Sequence, residues 1–171
     1  MEPKPSATLL VDFSKPDEAP NWKAVDDGVM GGQSKSQLMP SGQGSVYFRG
    51  LLSLEQGGGF ASVARERLRA PLPAQLHGLR LRVRGDGKRY QLRLRMSAHP
   101  WSGSYLASFD TQAGQWQELE LTSLDFTPRL RGRAQPQAPA LQWSAVDGLG
   151  LLIADKQVGE FSLELAWIAW R

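Results

Sequence analysis

Cysteine is absent from this 171-residue sequence, and histidine occurs only at His77 and His99. Without cysteine the chain has no disulfide framework, no thiolate nucleophile and no cysteine-ligated zinc site. Long apolar runs are also missing, since none approaches the roughly 18 residues that a membrane-spanning helix requires. The first residues lack the basic stretch and apolar core of a secretory signal. These absences favour a soluble, cytoplasmic protein with no transmembrane segment.

A strong excess of charge of either sign is missing as well. The 20 lysines and arginines stand against 17 aspartates and glutamates, which leaves a formal net charge of +3. An excess this small does not indicate binding to a polyanion such as DNA or RNA. The sequence therefore predicts no nucleic-acid partner.

Motifs for catalysis and cofactor binding are equally scarce. The sequence has no P-loop, no G-x-S-x-G nucleophile elbow and no G-x-G-x-x-G turn after a strand. The best carboxylate pair is Asp26 and Asp27, but adjacent residues on an extended segment point to opposite faces. We therefore expect no catalytic residues, no cofactor and no metal site. A loop Ca²⁺ site made of one aspartate and backbone carbonyls is the alternative left open.

Turn residues and alternating polarity are what the sequence has in abundance. Its 18 glycines and 11 prolines separate short segments in which apolar and polar side chains alternate, the pattern of half-buried strands. The predicted strands are 8–13, 33–38, 45–50, 60–65, 79–83, 90–96, 104–109, 116–121, 149–154 and 160–170, and 133–140 is a predicted loop. Many short strands separated by turns indicate an all-β fold, a β-sandwich or jelly roll. We expect the whole chain, 1–171, to form one such domain, with its core at about 8–170.

The clearest predicted element is a β-hairpin that turns at Asp86 and Gly87. An Asp-Gly pair favours the two-residue type I′ turn, and apolar residues alternate with polar ones on both sides of it. A two-residue loop would place three apolar pairs opposite each other on the core face. These pairs are Val83 with Tyr90, Leu81 with Leu92, and Leu79 with Leu94.

The outer face of this hairpin would carry arginine opposite arginine. The pairs are Arg80 with Arg93 and Arg84 with Arg89, and like charges directly opposed on a sheet are destabilising unless something neutralises them. One alternative is a charge ladder with carboxylates of neighbouring strands, drawn from Glu118, Glu120, Glu160 and Glu164. The other is an anion-binding sheet face, because the planar guanidinium suits carboxylate and phosphate groups. The candidate anion-binding residues are Arg80, Arg82, Arg93 and Arg95.

The most informative stretch is 22–36, which begins with Trp22 and holds three glycines within five residues, Gly28, Gly31 and Gly32. Such glycines indicate backbone angles or close approaches that a Cβ would forbid. One interpretation is a tight, irregular turn into a strand, in which aspartate and serine side chains bond loop amides. The other interpretation is a recognition loop.

A family resemblance emerges at this stretch. With Trp22 before it, the Asp-Gly-Val-Met-Gly-Gly-x-Ser-x-Ser sequence at 27–36 resembles the signature of the complex I intermediate-associated protein family, the thirty-kilodalton assembly factor of respiratory NADH:ubiquinone oxidoreductase. Further similar blocks follow in the family's order: Phe48-Arg49-Gly50, Gly58-Gly59-Phe60-Ala61-Ser62, Gly78-Leu79, Val83-Arg84-Gly85-Asp86-Gly87 with Tyr90, and Arg131-Gly132-Arg133.

The resemblance implies both a fold and a role. It implies a galactose-binding-like β-sandwich, related in fold to carbohydrate-binding modules, and a non-catalytic role in assembling or chaperoning a protein partner. The family's mitochondrial members carry an import sequence and a longer N-terminal region. The chain is similar instead to a free-standing, bacterial-type member.

The candidate binding surface combines these blocks with aromatic residues suited to anchor a partner. Its residues are Trp22, Asp26, Asp27, Gly28, Met30, Gly31, Gly32, Ser34, Gly58, Gly59, Phe60, Trp101 and Tyr105. We expect this surface to dock protein subunits of a larger complex. The alternative is a carbohydrate- or small-ligand-binding module, in which an exposed aromatic platform and a concave sheet face hold the ligand and Arg82, Arg93 or Arg95 bonds its polar groups.

Overall fold

Two antiparallel β-sheets make up the fold, and the computed structural model describes residues 8–26, 34–55, 59–130 and 133–171. With strands numbered in chain order, the six-stranded sheet contains β1 (Thr8–Asp12), β3 (Lys35–Pro40), β4 (Val46–Leu52), β6 (Leu79–Arg84), β9 (Trp116–Leu121) and β13 (Gly159–Trp170). The seven-stranded sheet contains β2 (Trp22–Ala24), β5 (Ala61–Arg65), β7 (Arg89–Arg95), β8 (Ser104–Asp110), β10 (Thr127–Leu130), β11 (Arg133–Ala134) and β12 (Gly148–Ile153). Short 3₁₀ turns lie at Ala19–Asn21, Ser123–Asp125 and Trp143–Ala145.

The strand order defines two layers. The six-stranded sheet runs β3-β4-β13-β6-β9, with β1 also paired to β13, and the seven-stranded sheet runs β11-β10-β8-β7-β12-β5-β2. This arrangement confirms the predicted β-sandwich, and each predicted strand overlaps an observed one. The sequence patterns missed the strands β2 and β10, and β11 occupies the start of the predicted loop 133–140. In the described ranges no helix has the length and apolar character needed to cross a membrane.

The core lies between the sheets and consists of their inward-facing apolar side chains. On β6 and β7 every second residue is fully buried, as the alternation predicted. Three aromatic rings join the layers: Phe48 and Phe161 of the six-stranded sheet contact each other at a centroid distance of 5.0 Å, and each contacts Tyr90 of the other sheet, at 6.2 and 6.4 Å. Ring pairs at these distances add to the free energy of apolar burial.

The predicted hairpin is wrong, because β6 and β7 belong to different sheets. β6 pairs with β9 and β13, whereas β7 pairs with β8 and β12. The segment between them therefore crosses from one layer to the other. Its Asp86 carboxylate accepts hydrogen bonds from the Lys88 amide, the Tyr90 hydroxyl and the Ser162 amide, at 3.1, 3.0 and 2.9 Å. These bonds tie the crossing segment to β13 as well as to β7.

One glycine of the 48–50 block permits a close approach between strands. Gly50 of β4 pairs with Ser36 of the edge strand β3. A Cβ at Gly50 would lie 2.8 Å from the Ser36 Cα and would overlap the Lys35 carbonyl oxygen. Both obstacles are backbone atoms, so they cannot rotate away.

We expect Gly50→Ala to lower the free energy of unfolding by about 1–3 kcal/mol, the usual cost of an overpacked site. Urea denaturation monitored by circular dichroism measures the change. Gly59→Ala is the matched control, since its Cβ would make one ordinary contact, 3.7 Å from a Leu54 methyl carbon. Equal stabilities for the two variants would show that β3 and β4 are not in such close contact.

Candidate binding cleft

A cleft crosses the outer face of the seven-stranded sheet. The inward side chains of its central strand β7, Tyr90, Leu92 and Leu94, are in the core, so Gln91, Arg93 and Arg95 point outward. The cavity has a volume of about 600 Å³. Its lining residues come from four strands and three loops: Gly59, Phe60, Gln91, Arg93, Arg95, Ser102, Gly103, Ser104, Leu106, Ser108, Thr127, Arg129, Leu130, Leu152, Ala154 and Asp155.

Glycines of β12 form part of the sheet surface beside the cleft. Gly148 pairs with Arg95, and Gly150 pairs with Arg93. The Arg93 guanidinium lies against Gly150, with Nε and Nη2 at 3.1 and 3.2 Å from the place where a Cβ would be. A side chain at Gly150 would therefore displace the guanidinium, which makes this glycine a determinant of the arginine's position.

A second cavity of about 430 Å³ adjoins the first, and Arg93 and Arg95 line both. Arg65 and Arg67 of this second cavity are close to each other, because an Arg65 guanidinium N–H donates to the Arg67 carbonyl. Asp147 lines the same cavity and accepts a hydrogen bond from the Ser97 amide at 3.0 Å. The two arginines of β7 thus lie at the junction of two cavities.

The charge of Arg93 is unfavourable for the fold, because the guanidinium is desolvated and lies near Arg95. Burial, reinforced by the charge of Arg95, lowers the pKa of Arg93 to about 10. The group therefore remains a cation at neutral pH. Within the ranges that the structure describes, its guanidinium makes no hydrogen bond and no ion pair. Three other strand arginines do have carboxylate partners: Arg65 with Glu18 at 2.6 Å, Arg84 with Glu164 at 2.7 Å and Arg89 with Asp110 at 2.9 Å.

The four candidate anion-binding arginines are not on one face, and in this respect the prediction is wrong. Arg80 and Arg82 lie on the six-stranded sheet, where they pair in register with Glu120 and Glu118 of β9. This in-register placement is what the charge ladder of the first alternative requires, although the Glu120 carboxylate forms its ion pair with Arg171, at 2.8 Å. The physical reason for the division is that β6 and β7 are in different layers, so their outward faces point in opposite directions.

On the outer face of the six-stranded sheet, the fold neutralises Arg84 with a carboxylate. Arg84 donates to the Glu164 carboxylate at 2.7 Å, and this hydrogen bond is the main cause that raises the pKa of Arg84. The Arg82 and Arg84 guanidiniums also lie 4.9 and 5.1 Å from the centre of the Trp116 ring, within the range of cation–π attraction. Of the four candidates, Arg93 and Arg95 line the two cavities described above.

Trp22, a candidate binding residue, is in the core with 7% of its surface exposed. Its ring packs against Phe13 with centroids 5.6 Å apart. Its Nε1–H donates to a Glu18 carboxylate oxygen at 2.9 Å, and that oxygen also accepts from Arg65 Nε at 2.6 Å. Glu18 and Arg65 form a buried ion pair. The structure thus gives Trp22 a structural role, and its contact with a partner stays a prediction.

Asp26 and Ser34, two further candidates, bond neighbouring backbone. The Asp26 carboxylate accepts from the Ser36 amide and hydroxyl at 2.8 and 2.5 Å and from the Ser62 amide at 3.0 Å. Ser36 belongs to one sheet and Ser62 to the other, so this carboxylate fastens the two layers together. The buried Ser34 hydroxyl donates to the Ser53 carbonyl and accepts from the Ser53 amide.

The aromatic candidates divide between core and cleft. Tyr105 is buried, its hydroxyl donates to the Pro139 carbonyl, and burial raises its pKa. Trp101 is half-buried and packs edge to face on Tyr105 at 5.3 Å. Gly59 and Phe60 line the 600 Å³ cavity. The other candidates lie outside the described residues: Asp27, Gly28, Met30, Gly31, Gly32 and Gly58.

Sequence reasoning missed several lining residues of the cleft. Ser104, Leu106 and Ser108 of β8, and Arg129 of β10, were not candidates. The alternation in 104–109 and the two glycines spaced by one residue in β12 were the available signals. In the part of the chain that the structure describes, no group of three or more His, Cys, Asp or Glu residues is placed to hold a metal ion.

Comparison with known protein families gives a match over most of the chain. Residues 11–165 match the family described as Complex I intermediate-associated protein 30 (CIA30). The mitochondrial complex I intermediate-associated protein 30 of Drosophila melanogaster is 26% identical over 187 aligned positions, which cover 96% of this chain and 63% of that protein. The Mus musculus protein of the same name is 26% identical over 95% of this chain and 55% of its own length. The chain thus spans little more than half the length of these relatives.

Solved structures with the same fold include carbohydrate-binding modules. A family 11 module from Clostridium thermocellum in complex with a β-1,3-1,4-mixed-linked tetrasaccharide superimposes with a TM-score of 0.64 and 14% identity, over 92% of this chain and 94% of that one. The family 11 module of the cellulosomal cellulase Lic26A-Cel5E superimposes with a TM-score of 0.65 and 13% identity, over 96% of both chains. These likenesses confirm the predicted β-sandwich, related in fold to carbohydrate-binding modules, and they extend to the fold alone.

Proposed function

The chain belongs to the complex I intermediate-associated protein 30 family, and from this premise we propose that it is a non-catalytic binding module that holds a polypeptide during the assembly of a multisubunit complex. The relatives' name refers to an assembly intermediate of complex I, which favours subunits of a respiratory-type complex as partners. The contact surface is the cleft on the outer face of the seven-stranded sheet.

The observation that carries this proposal is the unneutralised cation in the cleft. Arg93 is desolvated and has no carboxylate partner among the described residues. On the opposite sheet, by contrast, Arg84 is paired with the Glu164 carboxylate. A fold tolerates such a group where a ligand completes its interactions, since functional sites are where local stability is given up. The cavity volume of about 600 Å³ is within the range of ligand sites.

Carbohydrate binding is the second candidate function. The hydroxyl-bearing side chains Ser104, Ser108 and Thr127 line the cleft, and they are suited to bond sugar hydroxyls. The aromatic side chains of the cleft weigh against carbohydrate binding. That function would need an exposed aromatic platform, and Phe60 is the one aromatic side chain among the described lining residues. Trp101 and Tyr105 are instead packed against each other. Polypeptide binding is therefore the first candidate.

Site-specific photocrosslinking tests the proposal. We expect a benzoylphenylalanine at Ser108, exposed in the cleft, to yield discrete polypeptide adducts when the protein is irradiated in its native cells. The matched control is the same residue at Gln37, which is exposed on β3 of the other sheet and should yield none. Adducts that glycosidases remove would favour the carbohydrate candidate, and equal labelling from both positions would contradict the cleft as the contact surface.

A further inference from the structure

The spacing of the two cleft arginines defines the shape of a ligand. Arg93 and Arg95 are two residues apart on β7, and both line the two adjoining cavities. Residues two apart on a strand point to the same face, about 6.6 Å from each other. An extended polypeptide has the same repeat, so its side chains at positions i and i+2 would match the spacing of these arginines.

The charge of the cleft defines the chemistry of that ligand. A guanidinium bonds a carboxylate through two parallel N–H···O bonds, and such charge-assisted bonds are stronger than neutral ones. Arg93 has its guanidinium held beside Gly150 and uses none of its donors for a carboxylate within the described ranges. An incoming carboxylate would offset the cost of burying this cation next to Arg95.

We propose that the cleft binds an extended acidic segment of its polypeptide partner, with two carboxylates two residues apart held by Arg93 and Arg95. The inference rests on the proposed function, since it names the part of the partner that enters the cleft. Gly150, in register with Arg93, leaves room for the Arg93 guanidinium to lie over β12, where it can meet the segment's carboxylate. The hydroxyls of Ser104 and Ser108 are available to its amides.

Fluorescence anisotropy with synthetic peptides tests this inference. The probe is a labelled peptide in which two glutamates are separated by one serine, within a Gly/Ser sequence. We expect it to bind about tenfold or more tightly than a charge-matched peptide with adjacent glutamates, since one charge-assisted contact is lost. The peptide with two glutamines should not bind. Binding should weaken as salt is added, because ion pairs near the surface are screened.

Substitutions assign the contact to Arg93. Arg93→Gln should weaken binding of the acidic peptide by about tenfold or more, and Arg93→Lys should not restore it, because an ammonium lacks the two-pronged geometry. Arg49→Gln is the matched control: it removes one positive charge from the other sheet, where Arg49 lies over the Tyr47 ring. This control should bind within about twofold of the wild type.

A stability measurement separates a ligand contact from a structural one. Because Arg93 has a desolvated charge with no partner among the described residues, Arg93→Gln should leave the melting temperature unchanged or raise it. A lower melting temperature would overturn the inference, as would equal affinity of wild type and Arg93→Gln for the acidic peptide. Tighter binding of inorganic phosphate or of an oligogalacturonate than of the peptide would overturn it as well.

A failure of the acidic-segment inference can be distinguished from a failure of the proposed function. If Arg93→Gln keeps the polypeptide adducts formed at Ser108 and the peptides do not discriminate, the acidic segment is wrong and the polypeptide-binding role stands. If no polypeptide adducts form at Ser108 in the wild type, the proposed function itself is wrong.

Discussion

Replacing Glu18 with alanine is expected to lower the free energy of unfolding by about 3–5 kcal/mol, the usual cost of removing one partner of a buried ion pair. One Glu18 carboxylate oxygen accepts hydrogen bonds from the Trp22 indole at 2.9 Å and from Arg65 Nε at 2.6 Å. The side chains of Arg65 and Glu18 are only 4% and 7% exposed. Without the carboxylate, a buried guanidinium and a buried indole N–H would both lack this partner. Urea denaturation followed by tryptophan fluorescence measures the loss.

An exposed ion pair in the same region is the matched control. Asp17 and Arg69 are in contact at 2.9 Å with both side chains 64% exposed, and exposed pairs contribute little to stability. Asp17→Ala should therefore be nearly neutral. A double variant, Glu18→Leu with Arg65→Met, should recover much of the loss, because it removes both charges together. If Glu18→Ala is as mild as Asp17→Ala, the ion pair is not buried in solution.

The Glu18 cluster also has a bearing on the cleft. Arg65 lies at the end of β5, next to β12, and lines the second cavity beside Arg93 and Arg95. Because Glu18 fixes the Arg65 side chain, it holds one wall of that cavity. Arg65 is neutralised from within the fold, whereas Arg93 is not, although both are arginines on neighbouring parts of one sheet. The role proposed for Arg93 therefore depends on the carboxylate partner that the fold supplies to Arg65 but not to Arg93.

Alternation in the sequence predicted which residues are buried but not which strands pair. The inward residues of β6 and β7, such as Leu81 and Leu92, are fully buried as expected. A period of two identifies which face of a strand is buried. The period is the same whether two strands are neighbours in one sheet or lie in opposite sheets of a sandwich, so it does not predict pairing. The Asp86-Gly87 turn signal was local. The hydrogen bond from the Ser162 amide to Asp86 involves a residue far along the chain, which no local pattern encodes.

The candidate site was predicted only in part, because local sequence patterns do not show which strands come together. The sequence identified Arg93, Arg95, Gly59 and Phe60, which all line the cleft. It did not identify Ser104 or Arg129, because the cleft is assembled from strands distant in sequence. Nor could it show that Trp22 lies in the core. An aromatic residue in a glycine-rich stretch is equally suited to pin a turn or to meet a partner, and only the packing around it decides.

Asp26 is a candidate binding residue in the sequence, whereas in the structure its carboxylate joins the two sheets. Asp26→Ala distinguishes these two roles. Its carboxylate accepts three hydrogen bonds, two from Ser36 of β3 and one from the Ser62 amide of β5. Hydrogen bonds to charged groups are worth about 1.5–3 kcal/mol each, and a buried donor left unpaired adds a further cost. We therefore expect Asp26→Ala to lower the free energy of unfolding by about 3 kcal/mol or more, with the two sheets loosened where β3 meets β5.

Asp26→Asn and Asp110→Ala complete this test. The asparagine keeps one acceptor oxygen, so its unfolding free energy should lie between those of alanine and wild type. Asp110, whose side chain is 76% exposed in a surface pair with Arg89, should tolerate alanine with little change. If Asp26→Ala leaves the urea midpoint unchanged but abolishes crosslinking from Ser108, the carboxylate acts in binding rather than in joining the sheets. A large loss of stability in Asp26→Ala, intermediate in Asp26→Asn, would instead show that the Asp26 carboxylate joins the two sheets.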